Sequence, residues 1–278
     1  MSRGSGARRP FVAFLSRRGL AAPVSLLLIL FSLTLLSTVA YTYSMTQIGS
    51  RKEDLKLLAA EEKMLDLEEA VSSVAWSPGG SRTLAFSDYG GQLRVEPAAN
   101  HLRINVTMGA TTDTVFDGDT GRFVYELPST KVGHYGSWLR GDQRSIVNRS
   151  AAYQAQMLVE IGDEHQELAA SYRPLVSSSV GDLVEDRRVN NVRIYVVNLN
   201  GSQSIESGGE FHVKVLCGGV STKVYSYDLD SNVTTVNITA ELGGSVSTVG
   251  VPLTVSVSGS RVRVEVVVSG VEMGGVSV

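Results

Sequence analysis

The chain has 278 residues, enough for a membrane anchor and one large or two small domains, and its formal net charge is −3. Hydrophobic residues make up 43% and charged residues only 19%, and the first 19 residues contain five arginines and no acid, so the remainder is acidic. An acidic body lacks the basic face that phosphate contacts require, which excludes nucleic acid as a partner.

The first predicted element is a membrane-spanning helix. Residues 20–50 carry no charged side chain, and their most apolar part, from Leu26 to Ala40, lies in a segment long enough to cross a bilayer. Because arginines precede the span, the positive-inside rule predicts a cytoplasmic N-terminus and an exported remainder. We expect a single-pass protein of the cell membrane, in contact with lipid, with an extracytoplasmic head. The alternative is a secretory signal peptide cut near Ala40.

Helical periodicity continues beyond the span in a charged segment. Its apolar residues recur three and four positions apart and form a stripe of Leu57, Ala60, Met64, Leu67, Val71 and Val74. One helix is therefore predicted from about residue 22 to 75, ended by Trp76-Ser-Pro-Gly-Gly80. We expect Val71 and Val74 to pack on the head, and the stripe from Leu57 to Met64 to be left for neighbouring subunits or water.

Beyond residue 80 the hydrophobic period changes to two, which predicts short strands between turns rich in glycine. The predicted strands are residues 83–86, 92–96, 101–108, 122–127, 154–161, 191–197, 210–216, 224–227, 233–240, 253–257 and 261–268. Residues 163–170 are predicted to form a helical turn and residues 177–190 a polar connection. The last two strands are predicted to pair as a hairpin through Ser258-Gly-Ser260.

The predicted fold is mainly β with one long N-terminal α-helix, and its head is an antiparallel β-sandwich. We divide the chain into a basic leader (1–19), a transmembrane and amphipathic helix (20–77), a first β unit (78–180) and a second, Ig-like or sandwich unit (181–278). The alternative is a single head domain, in which the two β units are the two sheets of one sandwich.

Cys217 is the only cysteine, so no internal disulfide can form. It alternates in phase with Phe211, Val213 and Val215, which predicts that it points into a core. The alternative is an intermolecular bridge at the surface.

The junction Ser16-Arg-Arg-Gly-Leu20 resembles the processing site of class III signal peptides in type IV pilins and archaeal pilin-like proteins. In that family a basic residue and a glycine precede the cut, and a hydrophobic helix starts the mature chain. The resemblance implies a site for a prepilin-type peptidase formed by Arg17, Arg18, Gly19 and Leu20, with cleavage after Gly19.

The resemblance is close over residues 1–80 and covers the head only in architecture. It has one departure, since Val24 stands at the fifth mature position, where bacterial pilins carry Glu. The start Leu20-Ala-Ala-Pro-Val24 is similar to archaeal members, which often lack that residue.

The resemblance implies a structural or adhesion subunit of an archaeal filament, exposed at the surface and self-associating with pilin-like subunits through its N-terminal helix. The alternative is a monomeric, signal-anchored extracytoplasmic β-sandwich that binds a ligand or an envelope partner.

Five Asn-x-Ser/Thr triplets are candidate sites of N-glycosylation, at Asn105, Asn148, Asn200, Asn232 and Asn237. All of them fall on the side predicted to be exported, where a glycan can be attached.

No catalytic site is predicted, and we expect neither an enzyme nor a cofactor. The four histidines are scattered, without a pair at metal-ligand spacing. The acidic segment Asp117-Gly-Asp-Thr-Gly121 is interpreted as a turn between strands, and we claim no metal there.

Overall fold

The computed structural model describes residues 21–128, 136–149, 153–161, 165–203 and 205–276. The chain forms two compact units, residues 1–53 and the head, Asp54–Val278. One helix, α1 (Ala21–Val74), contributes residues to both units.

The head contains two β-sheets. Its strands in the described chain are β1 (Ser81–Phe86), β2 (Gln92–Met108), β3 (Thr111–Pro128), β4 (Trp138–Arg140), β5 (Val147–Asn148), β6 (Ala155–Ile161), β7 (His165–Tyr172), β8 (Leu175–Val184), β9 (Arg187–Asn198), β10 (Ile205–Gly208), β11 (Phe211–Leu229), β12 (Thr235–Leu242), β13 (Ser245–Pro252) and β14 (Ser260–Val276). One sheet has the order β1-β11-β14-β9-β8-β5, and the other the order β13-β12-β2-β3-β7-β6-β4 with β10 also paired to β2.

The predicted fold class is confirmed: the protein is mainly β, with one long N-terminal helix and a sandwich-like head of two sheets. The eight-stranded sheet is antiparallel in all its described pairings. The six-stranded sheet also contains two parallel pairings, of β14 with β9 and of β5 with β8.

The first hydrophobic core of the head is built around the C-terminal part of α1. Met64, Leu67 and Val71 are completely buried there. They share the core with residues of both sheets, which include Phe86, Val213, Met273, Phe123 and Leu168. The helix stripe therefore packs within the head, where burial of apolar area stabilises both the helix and the sheets.

This core corrects one prediction. The stripe from Leu57 to Met64 is not left for neighbouring subunits or water, because Ala60 and Met64 are buried and Leu57 packs against the same core. Large aromatic side chains of the sheets, Phe86 and Tyr125 among them, belong to the same buried cluster as Ala60 and Met64.

The second hydrophobic core lies between the two sheets and contains no residue of α1. Its buried residues alternate along the strands with exposed ones, as in β12, where Val236, Ile238, Ala240 and Leu242 are buried. Strands from before and after residue 180 contribute to both cores, and residues 180 and 181 lie within β8.

Two segments differ in secondary structure from the prediction. Of the predicted helical turn at residues 163–170, the described residues 165–170 are strand instead. They belong to β7, which buries every second residue, because pairing with β3 and β6 overrides the helix propensity of its Glu, Leu and Ala residues. Residues 177–190 are not a connection but the hairpin of β8 and β9. Its turn residues Glu185 and Asp186 both have positive φ angles, of 51° and 62°.

The predicted C-terminal hairpin is also wrong. Residues 253–257 form no strand, and β14 pairs with β11 and β9 instead. The hairpin of this region joins β12 to β13 through Gly243 and Gly244, whose φ angles are 55° and 83°. Positive φ at both central residues is what a two-residue hairpin turn matching the strand twist requires, and glycine adopts it without strain.

The prediction for Cys217 is confirmed. Its side chain is fully buried, and the thiol donates a hydrogen bond to the carbonyl oxygen of Ala75 at 3.3 Å. The cysteine therefore joins β11 to the C-terminal end of α1.

Candidate membrane anchor and surface sites

The N-terminal part of α1 is apolar and exposed on every side. Its large hydrophobic residues from Val24 to Ile48 are all solvent-exposed in the isolated chain. By length and composition α1 is the one helix of the described chain able to cross a membrane, and a signal sequence would have the same properties. A helix that is apolar all round is stable in lipid or among other helices, not in water.

The hydroxyl groups in this segment are compatible with a bilayer. Thr34 and Thr38 donate hydrogen bonds to the carbonyl oxygens four residues earlier, at 3.0 Å and 2.8 Å, and Thr42 and Thr46 do the same. Each of these hydroxyls is satisfied within the helix, so it does not need water.

The residues of the predicted processing site, Arg17, Arg18, Gly19 and Leu20, lie outside the described residues. Cleavage by a prepilin-type peptidase therefore stays a prediction from the sequence.

The five candidate glycosylation sites differ in accessibility. Asn200 and Asn232 are exposed in turns, Asn148 is exposed in β5, and Asn237 is exposed in β12 between two paired strands. Asn105 is half-buried in β2, and its side-chain oxygen accepts a hydrogen bond from the Thr114 hydroxyl at 2.8 Å. Glycosylation stays a prediction, and the two turn positions offer an acceptor amide with the least obstruction.

A partly buried ion pair joins the C-terminal part of α1 to β4 within the head. The Glu68 carboxylate is buried on the helix, is paired with Arg140 of β4, and accepts a hydrogen bond from the Ser72 hydroxyl at 2.6 Å. The Arg140 guanidinium also lies over the Tyr153 ring, 5.0 Å from its centroid. The sequence did not reveal this pair, because Glu68 is one of several acids on a charged helix.

Tyr172 lies beside the Glu68–Arg140 ion pair and is itself buried. Its hydroxyl lies 3.4 Å from the main-chain oxygen of Glu68. Burial raises the pKa of Tyr172 well above its ordinary value, and the nearby Glu68 carboxylate raises it further. Tyr172 is held in its neutral form within the first hydrophobic core, next to the ion pair of Glu68 with Arg140.

A second buried charge, Arg173, organises the segment after β4. The side chain is 1% exposed and donates to the Asp142 carboxylate at 2.7 Å. It also donates to the main-chain oxygens of Asp142, Arg144 and Tyr153 at 3.2, 3.1 and 3.0 Å. Hydrogen bonds from Arg144 first, and then from Arg173, hold the pKa of Asp142 well below its usual range.

Three side chains on the outer surface of the eight-stranded sheet have the composition of a metal site. Ligand atoms of Glu126, His165 and Glu167 lie within 4.8 Å of one another. However, the Arg94 guanidinium lies 2.7 Å from Glu126 and 3.8 Å from Glu167. His165 is itself 2.8 Å from the Glu167 carboxylate. A guanidinium already occupies the place of a cation, and we assign no metal to this group.

The acidic segment 117–121 does not form the predicted turn. It lies within β3, where Asp117 accepts a hydrogen bond from Arg103 of β2 at 2.9 Å. Asp119 bonds to the His101 ring at 3.0 Å, and this hydrogen bond raises the pKa of His101. The carboxylates therefore serve as cross-strand partners of basic residues.

One open groove in the head combines aromatic and polar side chains. It has a volume of about 330 Å³ and is lined by residues that include Trp138, Arg122, Glu160, Gln143 and Asn100. Trp138 is 37% exposed, whereas Arg122 is already paired with Glu96 at 2.5 Å. An exposed indole with amides around it offers a stacking surface and hydrogen bonds to a small polar ligand.

Neither known protein families, curated proteins nor solved structures give a match to this chain. Its described residues include an exposed apolar helical segment, several ion pairs and open grooves such as the one with Trp138. The expectation that it is not an enzyme stays a prediction.

Proposed function

We propose that the protein is a membrane-anchored, surface-exposed subunit of the type IV pilin-like class, with a structural or adhesive role in an archaeal filament. The observation that carries the proposal is the composition of α1. Its N-terminal part is uncharged and exposed, and its C-terminal part is core of a β head. In this proposal the exposed part lies in the bilayer, the arginines before it stay in the cytoplasm, and the head is extracytoplasmic.

The burial of the stripe restricts where subunits of such a filament would meet. Met64, Leu67 and Val71 are covered by the head of their own chain, so they are not available to a neighbour. Contacts through the helix would involve its exposed apolar part, which includes Leu27, Phe31 and Leu36. Self-association is thus proposed for the segment that also anchors the protein.

Processing at the basic junction tests the class assignment. The mature wild-type protein is expected to begin at Leu20, as measured by mass spectrometry of its N-terminal peptide from membranes. Gly19→Val should remain uncut, because a branched side chain obstructs the place of the glycine in the peptidase. Gly4→Val, the same substitution within the leader, should be processed normally. Residues 1–19 still attached to the wild-type protein would reject the assignment.

The groove with Trp138 favours a second candidate function, a monomeric anchored protein that binds a ligand or an envelope partner. Extraction distinguishes the two. A filament subunit is expected to shear from cells into material of high molecular weight, whereas a monomeric anchor is released only by detergent. Trp138→Ala should leave shearing unchanged under the first proposal and abolish retention on envelope material under the second, because the stacking surface is lost. Release of wild-type protein by detergent alone would refute the filament.

A further inference from the structure

Strand β13 is an open edge of the eight-stranded sheet. One side of it pairs with β12 over eight residue pairs. Its other side makes no backbone hydrogen bond to any residue within the described ranges. Unpaired N–H and C=O groups in a row are a template for another strand.

The sequence of β13 lacks the usual protection of an edge. Ser-Val-Ser-Thr-Val-Gly-Val-Pro contains no charged residue, and its only proline, Pro252, is the last residue. Val246 is 62% exposed at its start. Its pairing with β12 runs without a register shift, so no bulge twists the edge away.

Several other open edges of the head carry protection that β13 lacks. The open part of β11 has a register shift at Cys217/Gly219 and carries Lys223, and its Tyr225 hydroxyl bonds to the Val115 oxygen at 3.1 Å. Strand β8 has a register shift between Val180 and Leu183. The open part of β3 carries three aspartates, and β4, β5 and β10 have at most four residues each. Short strands, charges and bulges all discourage edge pairing.

We propose that β13 pairs antiparallel with β13 of a second copy of this chain, forming a two-fold symmetric dimer through the head. Among possible partners for this edge, a second copy of β13 fits best because β13 has no charged residue. Self-pairing brings only uncharged side chains opposite each other, whereas pairing with β3 of another copy would set its aspartates against the exposed Val246. An antiparallel pair of identical strands also satisfies the symmetry of a closed dimer.

The length of the strand sets the register. Pro252 has no N–H, so residues 245–251 are those able to form a complete ladder, and the pairing with the most residues is centred on Thr248. Thr248 then lies opposite Thr248 of the partner subunit, on the two-fold axis. The proposal does not depend on the membrane anchor or the filament, and goes beyond both.

Single cysteines test this register in full-length protein in detergent. The only native cysteine, Cys217, is buried and does not interfere. Thr248→Cys is expected to give a disulfide-linked dimer on mild oxidation, because residues on the axis of an antiparallel pair have Cα atoms about 4.5–5.5 Å apart. Thr239→Cys is the matched control: it is the partner of Thr248 within the sheet, 2.8 Å away between hydroxyls, and should remain monomeric.

A charge at the edge tests the dimer without a cross-link. Val246→Lys should raise the dissociation constant of the dimer, measured by sedimentation, by about tenfold or more. Thr239→Lys, one strand further in, should leave it unchanged. Both substitutions are at positions outside the cores, so thermal unfolding should stay close to that of the wild type. A wild-type protein that sediments as a monomer, or a dimer that Val246→Lys leaves intact, would overturn the proposal.

Discussion

Met64→Ala is expected to lower the free energy of unfolding of the head by about 2–5 kcal/mol. Met64 is completely buried in the first core, in the part of the stripe for which the sequence predicted no partner in the head. Its truncation removes contacts with both sheets and leaves a cavity that a core of two sheets and a helix closes only in part. The measurement is urea unfolding of a fragment comprising Asp54–Val278, followed by circular dichroism.

Leu58→Ala is the matched control on the same helix. Leu58 is 59% exposed, so its truncation should change the stability by no more than about 0.5 kcal/mol. Equal losses in the two variants would show that the helix face assigned to the core is wrong. A loss for Met64→Ala alone would establish that the head needs the helix from at least this residue onward.

Arg173→Leu is expected to destabilise the head by about 3 kcal/mol or more, since hydrogen bonds to charged groups contribute about 1.5–3 kcal/mol each and four are lost. Arg173→Lys keeps the charge but not the planar fork, so it should recover only part of the loss. Denaturant unfolding of the same fragment at neutral pH gives the values. A variant as stable as the wild type would mean that Arg173 does not organise the segment after β4.

The same group predicts a dependence on pH. The pKa of Asp142 is depressed in the folded protein by Arg144 and Arg173, so its contribution to stability is complete above the unfolded-state pKa of about 3.9. That contribution is lost as the pH falls through the lower folded-state pKa. The unfolding midpoint should therefore fall more steeply in the wild type than in Arg173→Leu as the pH is lowered from about 4 to about 2. Parallel pH profiles for the two proteins would contradict this role.

The fold class could be predicted from the sequence because the spacing of hydrophobic residues distinguishes a helix from a strand locally. A period near 3.6 before residue 76 and of two after residue 80 separates helix from strands, and α1 and the strands follow that division. Local signals also misled. Pro97 to Asn100 and Gly218-Gly219 have the composition of turns, yet both lie at register shifts inside the long strands β2 and β11.

Long-range pairing could not be predicted from one sequence. Ser258-Gly-Ser260 has the composition of a hairpin turn, but β14 finds its partners in β9 and β11, which are distant along the chain. The apolar stripe of α1 could be identified in the sequence, but the sheet residues that pack on it could not. Periodicity shows that a helix face is apolar and does not show what covers that face. The ion pair of Glu68 with Arg140 spans 72 residues and has no local signal.

The hydrogen bonds that Ala75 accepts constrain when the head can fold during synthesis. Its carbonyl oxygen accepts a hydrogen bond from the Ser269 hydroxyl, across 194 residues, and the core around α1 includes Val271 and Met273 of the last strand. Closure of so long a loop is entropically costly, and folds dominated by such contacts form slowly. The ribosome must therefore release nearly the whole chain before α1 acquires its native surroundings, and until then its stripe is exposed to aggregation and proteolysis. A chain interrupted before β14 lacks the residues that close this core, so we expect truncations there to leave the stripe of α1 without its native cover.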